Sequence, residues 1–224
     1  MNRLLKTSAS LIFLMAAFPG FSQSLAAAPR TAAITIFVYD YANVSTELMA
    51  AAEQDARRIF LQAGVETLWA TCLPKPQKAQ PSDCQTVDAT HLMLKILPRA
   101  ISAQARDRSD VLGTALVDAK GIGYYAYVFY DSIRRVAEER RLGHALLGDV
   151  LSHEIGHLLL GSNSHSVSGI MAAHWYGGEM RRISEGAMLF TPGQSRTLRE
   201  RLEPRPGDIP IVARPTATGQ MAPL

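Results

Sequence analysis

Apolar and polar positions change period several times along the 224 residues, and each change predicts an element. The run AITIFVYD (33–40) is β-branched and aromatic, which predicts a strand. After Asn43 and Ser45 the composition becomes helix-forming through TELMAAAEQDARRIFLQAG. Leu48, Ala52, Ile59 and Ala63 can share one apolar side, and Gly64 ends this helix. VETLWATCL (65–73) predicts a second strand, and HLMLKIL (91–97) a third, stopped by Pro98. The polar stretch SAQARDRSD (102–110) reads as a loop. GTALVDA (113–119) is a short strand, Gly121 and Gly123 mark a turn, and YYAYVFYDSI (124–133) predicts a strand rich in aromatics. RLGHALLGDVLSHEIGHLLLG (141–161) reads as a helix apolar on most sides, the pattern of a buried helix, with Gly161 at its end. Residues 162–186 are irregular, with Gly, Ser and Asn. TPGQSRTLRERL (191–202) closes the series as a helix, with Thr191 as cap and Pro192 in the first turn.

This order predicts an α/β (α+β) fold. A mixed, twisted sheet of about five strands is covered on one side by two long helices. The histidine-bearing helix is followed by an irregular C-terminal subdomain and a final helix.

The termini divide the chain. Arg3 and Lys6 precede an apolar run, Ala9 to Phe18, too short to span a bilayer. Pro19 and Gly20 break it, and Ser24-Leu25-Ala26 offers small residues for cleavage. Residues 1–26 therefore read as a signal peptide, 27–203 as one domain, and 204–224 as a Pro-rich flexible tail. The expected location is secreted or periplasmic. Export also changes the charge argument: the formal net charge is +3, and loss of Arg3 and Lys6 leaves about +1. No basic stripe with interleaved aromatics is present, so nucleic-acid binding is not indicated. The two cysteines, Cys72 and Cys84, form an even pair in an exported chain, which predicts a disulfide across a Pro-rich loop.

The chemistry is concentrated in SHEIGHLLLGSNSHSVSGIM (152–171), which holds three of the six histidines. His153-Glu154-x-x-His157 on a helix places two imidazoles one turn apart on one face, a spacing that can grip a single zinc ion. Glu154 points roughly 100° away from His153, outside the ligand set but near a zinc-bound water that needs a general base. A catalytic zinc takes a third protein ligand and keeps one position for water. His165 is the leading candidate for that ligand, because Gly161 ends the helix and Ser162-Asn163-Ser164 can turn the chain back. His174, Glu179 and Glu185 remain alternatives. Met171 ends the tight turn Ser168-Gly169-Ile170-Met171. His91 and His144 read as packing or surface histidines. Asp149, one turn before His153, reads as a partner of the ligands or as a solvated helix position.

The stretch resembles the metzincin clan of zinc endopeptidases, whose signature is His-Glu-x-x-His-x-x-Gly-x-x-His followed by a methionine-containing turn beneath the metal. His153, Glu154 and His157 match the signature. Gly161 stands one residue later and His165 two residues later, and Met171 falls in the turn. One extra helical residue adds about 1.5 Å and rotates the exit by about 100°, which one more turn residue can compensate. The resemblance implies Zn2+ as cofactor, Glu154 as general base, and an extended peptide lying along GTALVDA as an edge strand. It also raises Tyr176 as a candidate stabiliser of the transition state.

The expected function is therefore a secreted zinc-dependent endopeptidase in which Glu154 activates a zinc-bound water. The rival is a secreted zinc-containing binding or scaffold protein, but structural zinc sites fill four positions and favour Cys. The expected partner is a peptide or protein substrate, with no nucleic acid, no membrane after signal cleavage and no second subunit. The short distance from the cleavage point to the first strand leaves no room for a long propeptide.

Overall fold

Strict alternation in the first strand decides how the layers stack. In the computed structural model, which describes residues 32–73, 84, 90–99 and 111–203, β1 (Ala32–Asp40) buries Ile34, Ile36 and Val38 on one face. Phe37 and Tyr39 point to the other face. The expected signal peptide, the Pro-rich tail, the 102–110 loop and most of the cysteine-bounded loop lie outside the described residues.

Helix α1 (Thr46–Gln62) starts where the Ser45 side chain accepts the Leu48 N–H. It returns the chain to β2 (Val65–Cys72), which pairs parallel to β1. β3 (His91–Leu97) lies parallel on the other side of β1. β4 (Gly113–Val117) and β5 (Gly123–Phe129) form a hairpin, with β5 parallel to β3 and β4 antiparallel at the edge. The resulting five-stranded mixed sheet has the order β2-β1-β3-β5-β4. The expected strand count and mixed sheet are thus what the structure has.

Helix α2 (Tyr130–Arg140) follows β5 directly. The strand expected to continue to Ile133 stops at Phe129 instead. The exposed i,i+4 pairs Arg134–Glu138 and Arg135–Glu139 and the acidic Asp131 in the first turn suit a helix, and Ile133 is its one buried residue. Helix α3 (Gly143–Leu160) carries the histidines and buries twelve of its eighteen residues. It packs with α1 on the same face of the sheet, so the main core lies between Ile34, Ile36, Leu92, Leu94, Ala126 and Val128 below and Ala52, Ile59, Leu147, Leu151 and Ile155 above. This is the one-sided cover that the pattern predicts.

The expected irregular segment contains a two-turn helix, α4 (Gly177–Ser184). It escapes an apolar-period reading because Ile183 is its single buried residue. Helix α5 (Pro192–Leu202) ends the described chain with the Thr191 cap and Pro192 in the first turn, as expected. Cys72 and Cys84 are joined by a disulfide and buried on the second face with Phe37 and Tyr39, and the Tyr39 hydroxyl donates to the Cys84 carbonyl. Among the described residues, no helix is long and apolar enough to cross a membrane.

Candidate metal centre

Four residues of rise bring His153 and His157 onto one face of α3, with their Nε2 atoms 3.0 Å apart. Each ring is held by its other nitrogen. His153 Nδ1 lies 2.7 Å from the Ile170 carbonyl oxygen. A carbonyl only accepts, so that nitrogen carries the proton and Nε2 keeps its lone pair. His157 Nδ1 lies 2.8 Å from Ser164 Oγ, a hydroxyl able to accept the same kind of bond. Burial, foremost, pushes both imidazoles down to about 4, so both are neutral at pH 7, the form in which imidazole binds metal.

The helix stops at Gly161, whose φ of 93° suits glycine and turns the chain out of α3. The next four residues return His165 to the pair. Its ring centroid is 4.7 Å from that of His157 and 5.5 Å from that of His153. One nitrogen from each of the three histidines falls within 4.8 Å of the others, a cluster able to hold a metal ion. His174, Glu179 and Glu185 are not in this cluster. His174 stacks on Tyr176, and Glu185 pairs with Arg181.

A tight turn lies beneath the pair. The Ser166 N–H donates to the Met171 carbonyl, the Ile170 N–H to the Leu189 carbonyl, and the Ala172 N–H to the Gly169 carbonyl. Met171 is fully buried, and its sulfur faces Gly156, between the two histidines of the helix. A Cβ at Gly156 would stand 2.5 Å from that sulfur and 3.0 Å from a ring carbon of Phe190, so only glycine lets the turn close on α3 at this distance.

Glu154 projects from the same helix toward the edge strand. Its side chain packs on Gly113 of β4, where a Cβ would stand 2.6 Å from Oε1. The residue is 5% exposed, and Oε2 has no hydrogen-bond partner. Burial pushes its carboxyl up to about 8. A divalent cation alongside would favour the carboxylate and lower that value.

Three contacts here escape a sequence reading. Trp175, not Tyr176, meets the site: its ring stands edge-on to His153 at 5.5 Å with its indole N–H buried and unpartnered, whereas Tyr176 is 69% exposed. Gly113 and Ser164 are the others; both belong to segments read only as strand and turn. Asp149 is neither solvated nor bonded to a ligand. It is buried against α1, and burial, then the neighbouring Asp55, push its carboxyl up to about 8. His91 stacks on Phe37, and His144 bonds Asp55, so both have packing or surface roles. The groove of about 520 Å³ bounded by Leu48, Tyr130, Ile133 and His144 contains none of the three clustered histidines.

No family model matches the chain, and no curated protein does. Among solved structures, a zinc-dependent peptidase from Methanocorpusculum labreanum (strain Z) aligns with 73% of this chain and 99% of its own. The identity is 13% and the TM-score 0.49. Archaemetzincin from Methanopyrus kandleri aligns with 79% of this chain and 99% of its own, at 13% identity and a TM-score of 0.47. Likeness at this level carries no argument about chemistry, which rests on the residues themselves.

Proposed function

We propose that the chain is an exported zinc-dependent endopeptidase. One observation carries this reading: one nitrogen from each of three histidines converges within 4.8 Å of the others, beside a buried glutamate with an unpartnered oxygen. The donor set fits zinc, which accepts imidazole readily, and three protein donors leave a position open. Among the described residues no fourth donor joins them, which favours catalysis over a scaffold role.

His153, His157 and His165 would hold the ion. When bound, it supplies a Lewis acid that makes water nucleophilic near neutral pH and polarises a peptide carbonyl. Glu154 acts as general base: its Oε2 takes a proton as the water oxygen bonds to the carbonyl carbon. The same carboxyl then gives the proton to the departing nitrogen as the C–N bond breaks. Met171 and the turn around it form the floor that fixes α3 below the histidines. Because β4 is an edge of the described sheet and passes Glu154 at Gly113, an extended peptide can add to it as a further strand. The Cys72–Cys84 bridge supports an oxidising compartment, in keeping with the leader expected at residues 1–26.

The test is a mass-spectrometric survey of peptides cut by the zinc-loaded full chain, run beside Glu154→Gln. The proposal expects cleavage by the first and none by the second, with equal zinc in both. Equal cleavage by the two would remove Glu154 from the mechanism.

A further inference from the structure

Five residues, Gly161 to His165, must carry the chain from the helix end back to the histidine pair, and local geometry alone does not determine their path. One of them, Ser164, is tied to α5, and so is Leu159 at the helix end. The Gln194 side-chain amide donates from Nε2 to the Ser164 carbonyl at 3.0 Å, across 30 residues of sequence. That amide is itself fixed by a capping box. Its Oε1 accepts the Thr191 N–H at 3.0 Å, and the Gln194 N–H donates to Thr191 Oγ1 at 3.3 Å. Two turns further along α5, Arg201 donates from Nη1 to the Leu159 carbonyl at 2.9 Å. Positions seven apart share a helix face. Gln194 and Arg201 thus grip the last turn of α3 and the loop beyond it from one side, with fully buried Leu198 between them.

Ser164 is the hinge of this arrangement. Its hydroxyl bonds His157 Nδ1, and the next residue is His165. One residue therefore orients one histidine and sets the direction of the next.

We propose that Ser164 and Gln194 are positioning residues for the metal. Ser164 Oγ accepts the Nδ1 proton of His157 and turns that ring's Nε2 lone pair inward. Gln194 holds the Ser164 backbone so that His165 completes the set. Neither touches substrate or the reacting atoms. The inference rests on the zinc reading above and adds a claim that reading does not need.

Glutamate at position 194 separates the two tasks of this residue. A carboxylate still accepts the Thr191 N–H, so the cap survives, but it has no N–H for the Ser164 carbonyl. Threonine at position 164 keeps the hydroxyl, and alanine removes it. The experiment is a zinc titration of the full chain against a chromophoric chelator, with melting temperatures of the zinc-free proteins and visible spectra of the Co2+-substituted ones. Ser164→Ala and Gln194→Glu should each bind zinc about 10–100-fold more weakly, the usual cost of losing a partner behind a metal ligand. Their Co2+ spectra should change. Ser164→Thr should keep wild-type affinity, and Gln194→Glu, its cap intact, should lose only about 2–4 °C of melting temperature, the cost of one hydrogen bond. Wild-type affinity in both Ser164→Ala and Gln194→Glu overturns the inference while leaving the zinc reading intact. A wild-type chain that binds no zinc overturns both.

Discussion

Replacing Gly113 with alanine adds one methyl group to the edge strand, at a place where Glu154, the proposed general base, already stands. The new Cβ would lie 2.6 Å from Glu154 Oε1, 2.7 Å from Cγ and 2.8 Å from Cδ, whereas ordinary contact begins at 3.4 Å. The carboxyl must retreat by about 0.8 Å, the difference between 3.4 and 2.6 Å. A shift near 1 Å in a reacting group costs about 10²-fold, so kcat should fall by about 10–100-fold, or about 1.4–2.7 kcal/mol in the barrier. The fold should tolerate the change. The φ of Gly113 lies outside the left-handed region, so alanine adds no backbone strain and the close contact falls on the Glu154 side chain. Bound zinc should be unchanged, because Glu154 is not a ligand. The assay is steady-state cleavage of a peptide identified in the substrate survey, with metal content and melting temperature measured on the same samples. Gly178→Ala, where an added Cβ meets nothing within 4 Å, is the control. Full kcat in Gly113→Ala at full zinc would refute the claim that the position of Glu154 sets the rate.

Three further outcomes follow from the packing and the charges. Gly156→Ala forces Met171 and Phe190 away from α3 and should destabilise the chain by about 1–3 kcal/mol in urea; unchanged stability would mean the turn does not bear on the helix. The Asp149 carboxyl is raised from 3.8 to about 8, so the folded chain keeps a proton that the unfolded chain releases between those values. Stability from this group is full below pH 3.8 and declines to its minimum as pH rises through 8, at up to about 1.4 kcal/mol per unit. Asp149→Asn removes that slope, so its stability advantage over wild type in zinc-free urea titrations should grow from pH 5 to pH 8; an advantage independent of pH would refute the assignment. Replacing Cys72 and Cys84 by alanine opens a link spanning 12 residues and should cost about 3 kcal/mol in the same assay, and no loss would contradict a bridge in the folded protein.

How much of this was legible in the sequence depends on how local each determinant is. β1 was readable because its β-branched and aromatic residues, AITIFVYD, fall together in one short run. The His153–His157 pair was readable because helical spacing alone brings the rings together. Helix α2 was hidden because the aromatic run of β5 continues through Tyr130 and the helix then buries only Ile133. The return of His165 could be named as a possibility but not traced, because its path is held by Gln194, 30 residues beyond Ser164. The pattern Thr191-x-x-Gln194 is a readable capping box. That the outer nitrogen of its amide faces Ser164 is set by how α5 lies against α3, which no local pattern encodes. The burial of Glu154 depends likewise on Gly113, 41 positions earlier in the chain.

The central claim is that His153, His157 and His165 hold one catalytic ion. Its most direct test strips the full chain with a chelator and restores zinc in steps, with bound metal and peptide cleavage followed on the same sample. The account expects cleavage to vanish in the stripped protein and to return in proportion to zinc, ending at one ion per chain, with His165→Ala failing to reach that endpoint at the same free zinc. Cleavage that survives stripping, or a chain that takes up no zinc, would contradict it.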